Sequence, residues 1–157
     1  MSEVARVRRI VVGVNGSEAS IEALRWAVRE AYLTSGELTV VHAWLTPATL
    51  YPAPYAPARA RMSSDEACER AGAELTAAVS QVFGPNAADK PREVLKCGPP
   101  AQVLLDEAAD ADLLVLGGHR CDTPLRHTAG AIVAACLRRA PCPVVVVSSP
   151  LHPKPAV

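Results

Sequence analysis

The stretch RIVVGVNGS, residues 9–17, decides the fold. Its first half is a short β-branched run, which predicts a buried strand from Arg9 to Val14, and Asn15-Gly16-Ser17 predicts the turn that ends it. After Ser17 the apolar residues recur at spacings of three and four, so they share one face of a helix: Ile21, Leu24, Val28 and Ala31. Ser17 is the predicted N-cap, and Glu18 lies where the helix dipole favours a negative charge.

A second strand follows this helix closely. Gly36 is predicted to end the helix, and Leu38 to Trp44 is predicted to be the next strand. Strand, helix and strand within about 37 residues form a βαβ unit. Such a unit has parallel strands and a right-handed crossover.

The remainder of the chain continues the alternation of helices and strands. Ser63 with Glu66 fits a capping box at the start of an alanine-rich helix, and Gly84-Pro85-Asn86 stops that helix. Gly98-Pro99-Pro100 starts a helix in which three apolar residues can face a core, namely Val103, Leu104 and Ala108. The predicted elements are a helix over 63–83, a strand over 94–97, a helix from 100, a strand over 113–118 opened by Asp112, a helix over 128–139 and a strand over 143–147.

Five strands that alternate with four helices predict one α/β domain over residues 1–157, with its core at 8–148. We expect an open, doubly wound, Rossmann-like parallel sheet of five strands in the order 3-2-1-4-5, with helices on both faces. The switch point of this order lies between strands one and four, where a ligand should bind. Two loops, 15–17 and 117–120, converge there, beside the free amides of the helix that begins near Gly130.

The composition excludes several classes of partner. Lys and Arg together number 16, and so do Asp and Glu, so no overall field attracts nucleic acid or an anionic membrane. The N-terminus lacks the pattern of a signal peptide, and no apolar run approaches the roughly 20 residues of a membrane span. We therefore expect a cytoplasmic protein that binds neither nucleic acid nor membrane.

Cysteine and proline usage adds two expectations. The five cysteines contain no C-x-x-C pair, which argues against a disulfide framework and against a zinc site, so we expect no metal and reduced, mostly buried thiols: Cys68, Cys97, Cys121, Cys136 and Cys142. Residues 46–61 hold four prolines and are predicted to be a mobile surface loop. The tail 149–157 holds three more and is predicted to be frayed.

Several segments, taken in order, resemble one known family. They are IVVGVNGSEAS (10–20), ALRWA (23–27), VVHAW (40–44), Cys97-Gly98-Pro99, DLLVLG (112–117) and APCPVVVV (140–147). Together they resemble the universal stress protein family over about residues 8–148. Nucleotide-binding members of that family carry a phosphate loop with a glycine, two residues, a second glycine, nine residues, and a glycine followed by Ser or Thr.

The chain keeps the frame of this phosphate loop but not all of its chemistry. Gly117 and Gly130 fill the first and third glycine positions, whereas Arg120 replaces the second glycine and Ala131 the hydroxyl residue. Asn15 replaces the family's aspartate, which contacts the nucleoside. The resemblance implies a site for ATP, AMP or cyclic AMP, bound weakly, with nine candidate residues: Gly13, Val14, Asn15, Val41, Gly117, Gly118, Arg120, Gly130 and Ala131.

Other polar residues near the predicted crevice have two interpretations each. Arg120, with the neighbouring His119, Arg126 and His127, either grips an anion through side chains or decorates a solvated loop. His42 is either a strand-end residue near the crevice or a catalytic base. The sequence lacks G-x-S-x-G, H-E-x-x-H and P-loop motifs, so we predict no catalytic residues and no enzymatic turnover.

The last predicted strand suggests a partner. Val144 to Val147 should lie at a sheet edge, apolar on both faces, and we expect it to pair with a second copy in a homodimer. The family resemblance implies a non-enzymatic stress-response module that binds or regulates and senses an adenine nucleotide weakly. Two alternatives stay open: a nucleotide-free dimeric interaction protein with a vestigial crevice, and a weak ATP hydrolase.

Overall fold

The computed structural model describes residues 6–46, 63–118 and 128–148. Within these ranges the chain forms five strands and four α-helices. In chain order they are β1 (Arg9–Gly13), α1 (Glu18–Thr34), β2 (Glu37–Trp44), α2 (Ser64–Phe83), β3 (Arg92–Cys97), α3 (Pro100–Glu107, continued by a 3₁₀ turn at Ala108–Asp110), β4 (Leu113–Gly118), α4 (Thr128–Arg139) and β5 (Val144–Ser148). The predicted alternation of elements is confirmed.

The five strands form one parallel sheet in the order β3-β2-β1-β4-β5, as predicted. β1 lies at the centre, where Ile10 is in register with Leu38 of β2 and with Leu113 of β4. The last strand, β5, pairs with β4, with Leu114 opposite Val144. Successive strands are added to one side of β1 up to β3 and to its other side from β4 onward, so the crevice of the sheet opens at the carboxyl ends of β1 and β4.

Helices cover both faces of the sheet, and β1 supplies both cores because its side chains alternate. Ile10 and Val12 pack with Leu24 of α1 and Val79 of α2. Val11 points the other way, into a core that contains Leu104 of α3 and Cys136 of α4. The strand is therefore apolar throughout, as expected for a strand buried on both faces.

Local hydrogen bonds fix the ends of the first two helices. Ser17 caps α1, its hydroxyl oxygen accepting from the Ser20 amide at 3.2 Å. Ser63 and Glu66 form the predicted capping box of α2, with bonds of 3.2 Å and 3.0 Å. α2 ends at Gly84, whose φ of 84° is easily adopted by glycine. These three predictions from the sequence are confirmed.

The end of α1 differs by one residue from the prediction. The left-handed cap is Ser35, with φ of 51° and ψ of 38°, and not Gly36. Gly36 has another reason to be glycine, because a Cβ there would lie 2.8 Å from the carbonyl oxygen of Arg8. The chain therefore places a serine in the strained conformation and keeps the glycine for close packing.

Four strands also have slightly different bounds from those predicted; of these, β1 ends at Gly13 and β2 begins at Glu37. β3 begins at Arg92, where it pairs with Thr39 of β2. β4 begins one residue after Asp112, whose carboxylate accepts from the Arg9 amide at 2.9 Å and pins the amino end of β1 instead. Pro143 precedes β5, although its carbonyl oxygen still accepts from the Leu114 amide at 3.0 Å.

Some expectations fall on residues that the structure does not describe. The predicted loop 46–61, apart from Thr46, and the predicted tail 149–157 lie outside the described residues. The expectation of mostly buried thiols is wrong for the cysteines that are described: Cys136 is buried, whereas Cys97 is exposed. Within the described ranges, none of the helices combines the length and apolarity that a bilayer crossing requires.

Candidate functional site

A cavity of about 190 Å³ lies at the carboxyl ends of the central strands. Five of the nine predicted site residues line it: Gly13, Val14, Asn15, Val41 and Gly117. The rest of its wall comes from Ser17, Ala43, Pro100, Leu104, Leu116, Ile132 and Val133. Among the described residues, no charged side chain belongs to this wall, so the cavity suits an uncharged, largely apolar group.

Three of the other predicted residues, Gly118, Gly130 and Ala131, do not line the cavity. Gly118 ends β4 beside β5, where a Cβ would lie 2.6 Å from Cγ1 of Val146. Gly130 and Ala131 are exposed in the first turn of α4, and Arg120 lies outside the described residues. The structure therefore brings the residues after β1 together with the first glycine of the phosphate motif, and it leaves the end of that motif at the surface.

Sequence reasoning missed the residues of α4 that do form the wall. Ile132 and Val133 follow directly after the predicted Gly130-Ala131 pair and are partly buried. The sequence did contain a signal for them, because two consecutive apolar residues near the start of a helix at the switch point indicate a wall of the crevice. Leu104 was predicted only as a core residue, yet it also lines the cavity.

The turn after β1 is held by its own side chains. The Asn15 amide donates to Oγ of Ser20 at 3.2 Å, and the Ser17 amide donates to Oδ1 of Asn15 at 3.0 Å. The Ser20 hydroxyl in turn donates to the Ser17 carbonyl at 2.9 Å. Gly16 completes the turn with φ of 80°. The side chains of Asn15, Ser17 and Ser20 therefore hold this lip of the cavity together.

This arrangement fixes which group Asn15 offers to a ligand. The Ser17 amide needs an acceptor, so Oδ1 faces the turn and the Nδ2 amide faces away from it. Nδ2 has no partner among the described residues, and Asn15 is exposed. The site therefore presents a neutral hydrogen-bond donor at the position where the family pattern has a carboxylate.

Gly117 is a glycine because two elements meet there. A Cβ on Gly117 would lie 2.5 Å from the carbonyl carbon and oxygen of Ala19 and 2.7 Å from the Ser20 nitrogen. These are backbone atoms of the first turn of α1, which cannot rotate away as a side chain could. The first glycine of the predicted motif is thus required by packing, whatever a ligand requires.

His42 is built into the support of the cavity. The residue is 6% exposed, with Nδ1 at 2.8 Å from the Val14 carbonyl oxygen and Nε2 at 3.1 Å from a carboxylate oxygen of Glu74. The Val14 amide donates to the Val41 carbonyl at 2.9 Å. His42 therefore connects α2 to the backbone of the cavity residue Val14, and it does not itself line the cavity.

A larger hollow of about 850 Å³ lies at the opposite, amino end of the sheet. Its wall carries charges of both signs, including Arg9, Glu37, Lys90, Arg92 and Asp110. Such a mixture favours neither an anion nor a cation. The smaller cavity is the better candidate because it lies at the switch point of the sheet, where open α/β proteins bind their ligands.

Comparison with known proteins agrees with the fold. The model of the universal stress protein family matches residues 6–148. Universal stress protein Rv2005c from Mycobacterium tuberculosis is 28% identical over 150 residues, which are 95% of this chain and 50% of that protein. The chain thus spans about half the length of the curated relatives it matches.

Solved structures show the same fold. Universal stress protein UspA from Lactobacillus plantarum superposes with a TM-score of 0.68 at 25% identity, covering 91% of this chain and 99% of that one. A universal stress protein in complex with cAMP gives 0.54 at 24% identity, covering 89% and 95%, and one from Archaeoglobus fulgidus in complex with dAMP gives 0.55 at 23%, covering 89% and 97%. Because the family model spans all of the described residues, this chain belongs to the universal stress protein family.

Proposed function

We propose that the chain is a non-enzymatic binding and regulatory module of the stress response, whose crevice weakly holds an adenine nucleotide. The observation that carries the proposal is the uncharged cavity at the carboxyl ends of β1 and β4, with the amide nitrogen of Asn15 at its lip. Universal stress proteins solved with cAMP and dAMP support this class of ligand.

The size and lining of the cavity suit the base more than the phosphates. Its volume of about 190 Å³ is below the roughly 300–1,000 Å³ typical of pockets that enclose whole ligands. Val14, Val41 and Leu116 offer apolar surface against which a purine ring can pack. A nucleotide would then insert its base and leave its phosphates near the first turn of α4.

The phosphates would contribute little binding energy at the start of α4. Free amides at the start of α4 favour an anion, and the space around Gly130 is open, with no atom within 4 Å of a Cβ built on it. Ala131 offers no hydroxyl, however, and a hydrogen bond to a charged oxygen contributes about 1.5–3 kcal/mol. We therefore expect adenosine, AMP and ATP to bind with similar, weak affinities.

A thermal-shift series with adenosine, AMP, cyclic AMP and ATP tests this proposal, with guanosine as the control. A ligand at 100 times its dissociation constant adds about 2.7 kcal/mol to the free energy of unfolding. If none of these ligands raises the melting temperature, the proposed sensing function is wrong. Release of ADP from ATP by the purified protein would instead favour a weak hydrolase.

A second candidate function, a nucleotide-free dimeric interaction protein, is favoured by the free edge of β5. Within the part of the chain that the structure describes, this strand pairs with β4 alone, and Val146 is 38% exposed. Pairing with a second copy would satisfy the open backbone groups of this edge. Light scattering distinguishes this candidate, which requires a dimer at micromolar concentration whether or not nucleotide is present.

A further inference from the structure

Two cysteines lie on neighbouring elements at the same end of the sheet. Cys68 belongs to α2 and Cys97 is the last residue of β3. α2 leaves the carboxyl end of β2 and leads to the amino end of β3, so it runs opposite to both strands. The start of α2 and the end of β3 therefore share the carboxyl side of the sheet.

One close contact sets the register between α2 and β3. A Cβ built on Gly72 would lie 3.6 Å from Cδ2 of Leu95, an ordinary contact distance. Cys97 follows Leu95 by two residues, about 6.6 Å along the strand and on the same face. Cys68 precedes Gly72 by four residues, about 6 Å along the helix on the same side. The two displacements are nearly equal and point in the same direction, so the thiols come to corresponding positions.

Neighbouring side chains agree with this placement. Lys96, which alternates with Cys97, pairs with Glu107 of α3 and so points to the opposite face of the sheet. Cys68 is half-buried, whereas the next residues of α2, Glu69 and Arg70, are exposed. Both cysteines thus face the space between α2 and β3.

Exposure separates Cys97 from the other described thiols, since Cys68 and Cys142 are both partly buried. Cys97 is exposed, so a dissolved oxidant can reach it. Cys136 is buried, and that burial raises the pKa of its thiol. Burial also raises the pKa of the Cys142 thiol, with the nearby Asp112 acting in the same direction. Fewer thiolates form at these two positions, and the thiolate is the form that reacts with oxidants.

We propose that Cys97 and Cys68 form a peroxide-responsive dithiol pair that closes to a reversible intramolecular disulfide. The Cys97 thiolate attacks a peroxide oxygen, so that an S–O bond forms, the O–O bond breaks, and the leaving hydroxide takes a proton to become water. The Cys68 thiolate then attacks the Cys97 sulfur, forming the S–S bond and releasing the second water. Two thiols lose two electrons and two protons, and one hydrogen peroxide is reduced to two waters.

The bond would tie the end of β3 to the beginning of α2. From α2, Glu74 holds His42, and His42 holds the carbonyl of Val14 in the candidate cavity. Oxidation therefore acts on an element that supports the cavity. The pair does not depend on the proposed nucleotide function, because no ligand takes part in its chemistry. Transient, redox-sensing disulfides are the kind that occur in reducing compartments.

The experiment is a thiol and peptide map of the wild-type chain before and after one equivalent of hydrogen peroxide. Trypsin places each of the five cysteines in a different peptide, with Cys68 in 62–70 and Cys97 in 97–120. We expect two free thiols to be lost per chain and one cross-linked species joining these two peptides. Dithiothreitol should restore both thiols and both peptides.

Matched variants test the order of the steps. In Cys68→Ser the sulfenic acid on Cys97 should persist and be trapped by dimedone, and in Cys97→Ser the Cys68 thiol should remain alkylatable. Cys142→Ser is the control and should cross-link like the wild type. Three results in the wild type would overturn the proposal: a link between two chains, a link to another cysteine, or direct conversion of Cys97 to sulfinic acid. The peptide map of the wild type detects each of them, so this test does not require any variant to fold.

Discussion

Replacing Gly117 by alanine should destabilise the protein, whereas the same change at Gly130 should not. A Cβ on Gly117 would lie 2.5 Å from the carbonyl carbon and oxygen of Ala19, which belong to the backbone of α1. To relieve this contact, α1 must move off β4, and overpacking of this kind costs about 1–3 kcal/mol. A Cβ on Gly130 meets no atom within 4 Å, and alanine in a helix is favoured over glycine by up to about 1 kcal/mol.

Urea denaturation of the two variants measures this difference. With a slope of about 2 kcal/mol per molar urea, the midpoint of Gly117→Ala should fall by about 0.5–1.5 M. The midpoint of Gly130→Ala should stay the same or rise by up to about 0.5 M. The same chemical change at two glycines of one motif should thus have opposite effects. If Gly117→Ala unfolds at the wild-type midpoint, or if both variants lose equal stability, the packing explanation of Gly117 is wrong.

Three further predictions concern other positions. Ser35→Gly should raise the free energy of unfolding by about 0.5–1 kcal/mol in urea denaturation, because glycine adopts the left-handed cap without strain; an unchanged midpoint would contradict this. Val146→Lys, on the exposed side of β5, should convert a dimer to a folded monomer in light scattering, and a wild type that is monomeric at micromolar concentration would rule out the interface. Val147→Lys should instead lower the free energy of unfolding, because Val147 packs against the core. Arg120→Gly combined with Ala131→Ser should tighten ATP binding about tenfold to a hundredfold in titration calorimetry, since the backbone can approach the phosphates and a hydroxyl is restored; micromolar binding by the unchanged chain would mean that Arg120 clamps phosphate.

The features that could be predicted from the sequence depend on residues close together in the chain. The Ser17 cap and the Ser63 capping box are bonds across three residues, so their pattern is visible in the sequence. The strands were found from apolar runs, and their order was predicted by having the first three strands build outward on one side and the fourth cross to the other. The turn that carries Asn15 and Ser17 of the candidate site was found because it directly follows such a run.

The features that could not be predicted depend on contacts between distant segments. The sequence predicted that Gly36 ends α1, and it could not show that Ser35 is the left-handed cap. Position 36 is a glycine for a different reason, because a Cβ there would be too close to the carbonyl oxygen of Arg8. In the same way, the packing of α1 against Gly117 gives no local signal, since a phosphate motif predicts a glycine there as well. The bond between His42 and Glu74 joins residues 32 positions apart.

The hydrogen bonds of the turn after β1 have a consequence for the thermodynamics of binding. The amides of Asn15, Ser17 and Ser20 all donate within the turn and the first turn of α1, so this loop is ordered when the protein folds. A ligand that arrives at this rim encounters a surface already in its final conformation and loses little configurational entropy there. We therefore expect rapid association and a heat-capacity change no larger than the covered apolar area accounts for. We also expect slow hydrogen exchange at the Asn15 amide even in the ligand-free protein.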